Sequence, residues 1–423
     1  MIPIRLIFLA VLLAPVAGHA QSREPFESEP AGPLLRGDVA GSRQPAGMEP
    51  LGVHAGPLLV RPSITARVGA DSNVLNRTSE KRGDVFVVLA TAVSASGETG
   101  RASYVLRAEA AAARFASERS QNSETFGAEA NGRLAVADRG SVFARVSFDR
   151  KVEPPGSAGA AAIEGSPARL DQLEAQLAVR ADPGPFRITA SATATRLEYA
   201  GITTADDTVV DQGFRDSEAL TLGLKAEYSA PFGITMFIDG NYRWLDNLHP
   251  AANLDHSSNG GQVRIGMRGD ITSLVTAQAA IGYVFADYDS PVFRDFGGLT
   301  WQARLEWYPT PLISVALASG RSLVNSGIPE VASVIVDTTS LQLHYEVRRN
   351  LDLVATLSRT NEDFRGSDAR VHSTLIGLEG RYVLGPATSA GLYARLRLRN
   401  ASGSSIPRGG GGMEGGMSLR LAL

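Results

Sequence analysis

Leu299-Thr300-Trp301-Gln302-Ala303-Arg304-Leu305-Glu306-Trp307 alternates without a break, with apolar side chains at odd positions and polar ones at even positions. A helix would spread Arg304 and Glu306 around its circumference, whereas a strand collects the polar set on one face. Three other segments repeat the pattern. Leu220, Leu222, Leu224, Ala226 and Tyr228 alternate with Thr221, Gly223, Lys225 and Glu227. Leu341, Leu343, Tyr345 and Val347 alternate with Gln342, His344, Glu346 and Arg348. Leu392, Ala394, Leu396 and Leu398 alternate with Tyr393, Arg395, Arg397 and Arg399. From residue 58 onward, alternating segments of about ten residues recur, the length a tilted strand needs to cross a bilayer.

The connections alternate as well. Tight turns stand at 138–140, 182–185, 231–233, 309–311, 349–350 and 385–386. Longer polar stretches stand between them, at 71–83, 151–167, 201–217, 246–260, 287–297, 324–337 and 400–412. Short periplasmic turns and long extracellular loops produce this rhythm, which a soluble sandwich need not keep. The pattern predicts an all-β, transmembrane, antiparallel up-and-down barrel of about 18 strands, with 16 as the alternative count. The first strand begins near Leu58 and the last, Met413 to Leu423, ends the chain, so the two can pair and close the sheet without an edge. Tyr228 and Trp307 stand beside short turns, and Tyr242, Trp244, Tyr283 and Phe285 toward long loops, as two interfacial girdles require. In the last strand Met413, Met417, Leu419, Leu421 and Leu423 share a face; Leu423 departs from the aromatic that commonly ends such strands.

Composition agrees. Of 423 residues 43% are hydrophobic, yet mean hydropathy is -0.04, so apolar and polar residues are finely mixed. A net charge of -3 argues against a nucleic-acid partner. Lysine occurs only at Lys81, Lys151 and Lys225; the other cations are arginine, whose fixed fork suits a crowded polar interior. There is no cysteine, so neither disulfides nor thiol chemistry enter.

The N-terminus reads as an export signal over residues 1–20. Arg5 supplies the charge, Leu6 to Leu13 the apolar run, and Gly18-His19-Ala20 a small-residue cleavage site. The run is too short for a membrane anchor. Residues 21–57, rich in Pro, Gly, Ser and charge, predict a disordered periplasmic leader, and 58–423 the barrel. The location implied is the outer membrane of a Gram-negative bacterium.

The first strand, Leu58 to Val68, runs into Gly69-Ala70-Asp71-Ser72-Asn73-Val74-Leu75, and an apolar strand, Val85 to Val93, returns from the loop. With its Asp-x-Asn-Val stretch at 71–74, the region 58–423 resembles the "putative β-barrel porin 2" family of outer-membrane proteins. The resemblance implies a barrel often associated with exopolysaccharide or capsule production. It supplies no catalytic motif.

Arginine and acidic residues fill the polar phase of the strands. Arg264, Arg268 and Arg304 are candidates for a lumen that selects ions, and Arg395, Arg397 and Arg399 form the densest patch. Like charges in one row need acids on the flanking strands, with Glu379 and Glu414 as candidates, or an anionic ligand. The lumen would favour anions mildly, unless Arg and Glu pair across strands and leave little net field. No base–nucleophile spacing surrounds His344, no histidine has metal-ligand spacing, and no cofactor motif appears, so no catalytic, metal or cofactor residues are assigned. Gly409 to Gly412 lacks the context of a phosphate loop.

Three functions are compatible with such a chain. The first is a porin-like channel, narrowed by loop 151–167 or loop 201–217. The second is an accessory barrel for exopolysaccharide export. The third, a barrel enzyme, finds no support in the residues. Expected partners are outer-membrane lipid and lipopolysaccharide, the barrel assembly machinery, and polysaccharide or small anionic solutes.

Overall fold

The computed structural model describes residues 40, 50–153, 165–204, 207–231, 233–250, 254–403 and 410–423. The expected export signal, and the expected leader apart from residues 40 and 50–57, lie outside these residues.

Eighteen long antiparallel strands close into one barrel. The first nine are β1 (Leu58–Asp71), β2 (Asp84–Thr99), β3 (Ala102–Phe115), β4 (Ser123–Ala137), β5 (Gly140–Glu153), β6 (Ala168–Ala181), β7 (Phe186–Tyr199), β8 (Ser217–Ser229) and β9 (Ile234–Asn247). The second nine are β10 (Ser258–Thr272), β11 (Val275–Tyr288), β12 (Phe296–Thr310), β13 (Ile313–Asn325), β14 (Ser333–Arg348), β15 (Leu351–Phe364), β16 (Arg370–Gly385), β17 (Thr388–Ser402) and β18 (Gly411–Ala422). Each pairs with its neighbour in sequence, and β1 closes on β18 from Ser63↔Ala422 to Asp71↔Glu414. Closure pairs every wall strand on both sides, which a lipid environment demands because it offers the backbone no water.

Exposure shows which face is which. On β8, Leu220, Leu222 and Leu224 are 46%, 44% and 58% exposed, whereas Thr221 and Glu227 on the alternate face are buried. Apolar residues outside and polar ones inside invert a soluble protein, as a lipid-facing wall requires. The cross-strand register carries this phase around the ring, from Thr221↔Arg243 through Asp239↔Arg264 and Arg264↔Gly282 to Gly282↔Thr300. The aromatics chosen from sequence point outward: Tyr228, Trp307, Tyr242, Trp244 and Tyr283 are all exposed. At the loop end, Tyr242 contacts Trp244 at 4.6 Å and Phe285 at 6.2 Å between ring centroids.

The two ends of the barrel differ. All five register shifts, at Ala135/Ala137, Asp270/Thr272, Trp307/Thr310, Glu346/Arg348 and Val383/Gly385, sit beside short turns. Bulges there add local twist where the chain reverses. Residues 53–55, assigned from sequence to an unstructured leader, are paired. Val53–Ala55 folds back antiparallel on Leu58–Val60, because Gly56 takes the positive φ (62°) that a tight hairpin needs. Further upstream, Ala40 is buried at the same end. Its N–H donates to the Pro311 carbonyl at 3.0 Å, and the inward Ser314 hydroxyl donates to its carbonyl at 2.9 Å.

Candidate functional site

The inner wall is built from alternate residues of every strand, and its charges meet across strands. Arg145 on β5 lies between Glu129 on β4 at 2.9 Å and Glu174 on β6 at 2.7 Å. Arg264 donates to Asp239 at 2.9 Å, and Arg268 lies 2.9 Å from Glu227, which also takes Lys225 at 3.1 Å. Arg304 donates to Glu306 at 2.6 Å on its own strand, and the Tyr308 hydroxyl donates to the same carboxylate. Arg381 pairs with Asp352 at 2.7 Å. Breaking one such pair leaves a half-buried charge uncompensated, so each braces the wall even where its net stabilisation is small.

The β17 row divides its partners unequally. Arg395 reaches Glu414 at 3.9 Å, and Arg397 reaches Glu414 at 3.3 Å. Arg397 also donates to Asp71, which comes from β1 across the closing seam. Nε and Nη2 of Arg399 are buried without a hydrogen-bond partner. Glu379, the other acid proposed from sequence, faces Tyr393 in register and makes no ion pair with the row among the described residues.

The Asp71–Val74 stretch is the lock of that seam. Asp71 accepts the Asn73 N–H at 2.9 Å. The fully buried Asn73 donates its amide to the Arg77 carbonyl at 2.7 Å and the Gly411 carbonyl at 3.0 Å.

Two long connections fold onto the inner wall. In the first, between β7 and β8, Arg215 makes a two-pronged pair with the inward Glu153 (2.9 and 2.7 Å) and lies 3.7 Å over the Tyr199 ring. Ile202, from the same connection, is buried, as are the inward residues Ala168 and Leu170. Of the other proposed constrictor, 151–167, residues 154–164 lie outside the described residues.

The second connection, 326–332 between β13 and β14, was missed in the sequence. Ile328 and Val331 pack with inward-facing Val334, Val336, Phe364, Val371 and Ala401 into an apolar cluster. Its signal was available: Val334 and Val336 are apolar at positions of polar phase, and the loop before them carries Ile328 and Val331. The cluster is tied sideways by His256, whose Nε2 lies 2.9 Å from the Pro329 carbonyl and whose ring meets Phe293 edge-on at 4.8 Å. In a closed ring, a connection on β5–β7 and one on β14–β17 stand on opposite sides, at the end away from the short turns.

Several aromatics face inward. Phe86, Phe237, Tyr308, Phe364 and Tyr393 all face inward, yet all are buried, so they pack the wall and do not line an open path. His344 stands opposite Ser314 in register, but that hydroxyl donates to Ala40. Among the described residues no group of three or more His, Asp or Glu side chains is placed to hold a metal ion.

Solved structures similar to this chain include the following three. One is OpdK, an outer membrane protein of Pseudomonas aeruginosa, at 11% identity and TM-score 0.46, covering 86% of this chain and 99% of that one. A second is OccK2 (OpdF) of Pseudomonas aeruginosa in complex with glucuronate, at 10% identity and TM-score 0.48, covering 86% and 98%. A third is the copper transporter OprC, at 12% identity and TM-score 0.47, covering 88% and 81%. No curated protein matches. The profile of the family described as "Putative beta-barrel porin 2" matches residues 44–406, most of the wall just described, and the chain belongs to that family of porin-like outer-membrane barrels.

Proposed function

We propose that the barrel is a water-filled channel for small solutes, narrowed at its extracellular mouth, with a mild preference for anions. The observation that carries this reading is the exposure of inward-facing charges. The Arg107 side chain is 52% exposed, Lys151 46% and Arg187 37%, although all three point away from lipid. Charged groups keep such exposure inside a closed wall only where the interior holds water. Because most wall arginines are already paired, the field left for selectivity is small. Arg395, Arg397, Arg399, Arg264, Arg268 and Arg304 are the residues through which we expect it to act. Reversal potentials under a salt gradient test the preference; cation selectivity would contradict it.

The export signal would be removed and the last strand would engage the assembly machinery. Lipopolysaccharide would surround the loop end, where outward-facing Arg150 and Asp171 pair at 2.8 Å. No enzymatic role is proposed. The alternative, an accessory role in exopolysaccharide export, needs the leader free for periplasmic partners. Ala40 seated against Pro311 and Ser314 favours the channel.

A further inference from the structure

Between β2 and β8, at the short-turn end, the wall encloses a recess of about 610 Å³. That volume falls within the range of small-ligand sites. The acids in and above it are engaged. Glu227 is held by Lys225 and Arg268, and Glu129 and Glu174 both clasp Arg145. The remaining acid of the lining, Glu98, is exposed at the rim. Arg133 faces the recess without an ion pair among the described residues. Arg180 stands beside it, 3.5 Å from a turn carboxylate, Asp182, that Arg187 approaches more closely at 2.8 Å.

The rest of the lining is neutral and rich in hydrogen-bonding groups. Ser141, Thr189 and Ser191 present hydroxyls, and the Ser191 oxygen is buried with no hydrogen-bond partner. Native structures rarely leave a buried hydroxyl unanswered unless a ligand or water completes it. Phe143 supplies one apolar ring face among these groups. A bare inorganic anion would leave the hydroxyls and the ring unused, and a neutral sugar would leave Arg133 unused.

We propose that this recess is a subsite for an acidic sugar of one or two rings. Its carboxylate lies against Arg133 and Arg180, its hydroxyls against Ser141, Thr189 and Ser191, and one ring face on Phe143. The proposal rests on the channel reading and deepens it by naming a substrate class. A single stacking ring makes the recess one station on the path, not a continuous slide.

The test is calorimetric titration of the refolded full chain in detergent with sodium glucuronate, glucose and inorganic phosphate. Glucuronate binds at one site, and the other two bind at least about tenfold more weakly. Arg133→Gln and Ser191→Ala each weaken glucuronate, the former about tenfold or more, while Arg196→Gln on the outer face leaves binding unchanged. The heat-dependent gel shift of each variant verifies folding, and either inner variant alone suffices for the comparison. Phosphate binding as tightly as glucuronate, no glucuronate binding, or binding indifferent to the inner variants overturns the site. A barrel that binds glucuronate but passes no current keeps the site and refutes the channel. One that conducts without binding does the reverse.

Discussion

Asn73 uses every polar atom of its side chain. Its amide nitrogen donates to two carbonyls, and its oxygen accepts the Arg77 N–H at 3.0 Å. One of those carbonyls, Gly411, is 338 residues away, so the role of the 71–74 stretch could not be read locally. Asn73→Ala leaves buried groups unpaired and should cost about 1–3 kcal/mol. The temperature of the heat-dependent gel shift reads this, and an unchanged midpoint would argue against a latch. Other residues were legible from period two alone. Leu222→Arg puts a charge on the lipid face, at a cost of roughly 2–4 kcal/mol near the midplane, whereas Thr221→Arg enters water. The yield of assembled barrel should fall for the first and hold for the second; equal yields would mean the strand phase is misassigned. In the β17 row, Glu414 could be proposed because it sits on the next strand. Asp71 could not, because expecting closure does not give the register at which the two ends of the chain meet.

At the scale of elements, strands were legible and loop placement only in part: 201–217 was expected to turn inward and does, while 326–332 was not expected to. A strand in a barrel wall is dictated by its own alternation, but a loop turns inward only if the wall beneath it offers apolar contact. The 326–332 loop finds that contact in Val334, Val336, Phe364 and Val371. Val331→Asp buries an unpaired charge there and should free the loop, raising conductance while leaving the gel shift of the barrel in place. Unchanged conductance would mean that the loop does not narrow the mouth. The same loop should respond to acid. Burial pushes the His256 imidazole below its ordinary value near 6.5, although the Pro329 carbonyl and the charges of Asp255 and Glu330 oppose the shift. Neutral His256 therefore favours the packed loop. Its contribution is complete above about pH 6.5 and is lost as pH falls through the lowered value. Protease accessibility of 326–332 should rise on acidification in the native chain and lose that pH dependence in His256→Phe. A native chain indifferent to pH would remove His256 as the tie.

For the whole molecule, closure, exposed inward charges and inward-folded connections on two sides support the proposed channel, which would admit water and restrict size. Architecture followed from the sequence because every strand repeats one physical rule. Selectivity did not, because it depends on which charges remain after pairing, a property of the assembled ring. Single-channel recording of the refolded protein in a planar bilayer tests the central claim most directly. The structure predicts stable open steps, smaller than an unobstructed 18-strand ring would give. A barrel that shows the folded gel mobility yet yields no steps would contradict it.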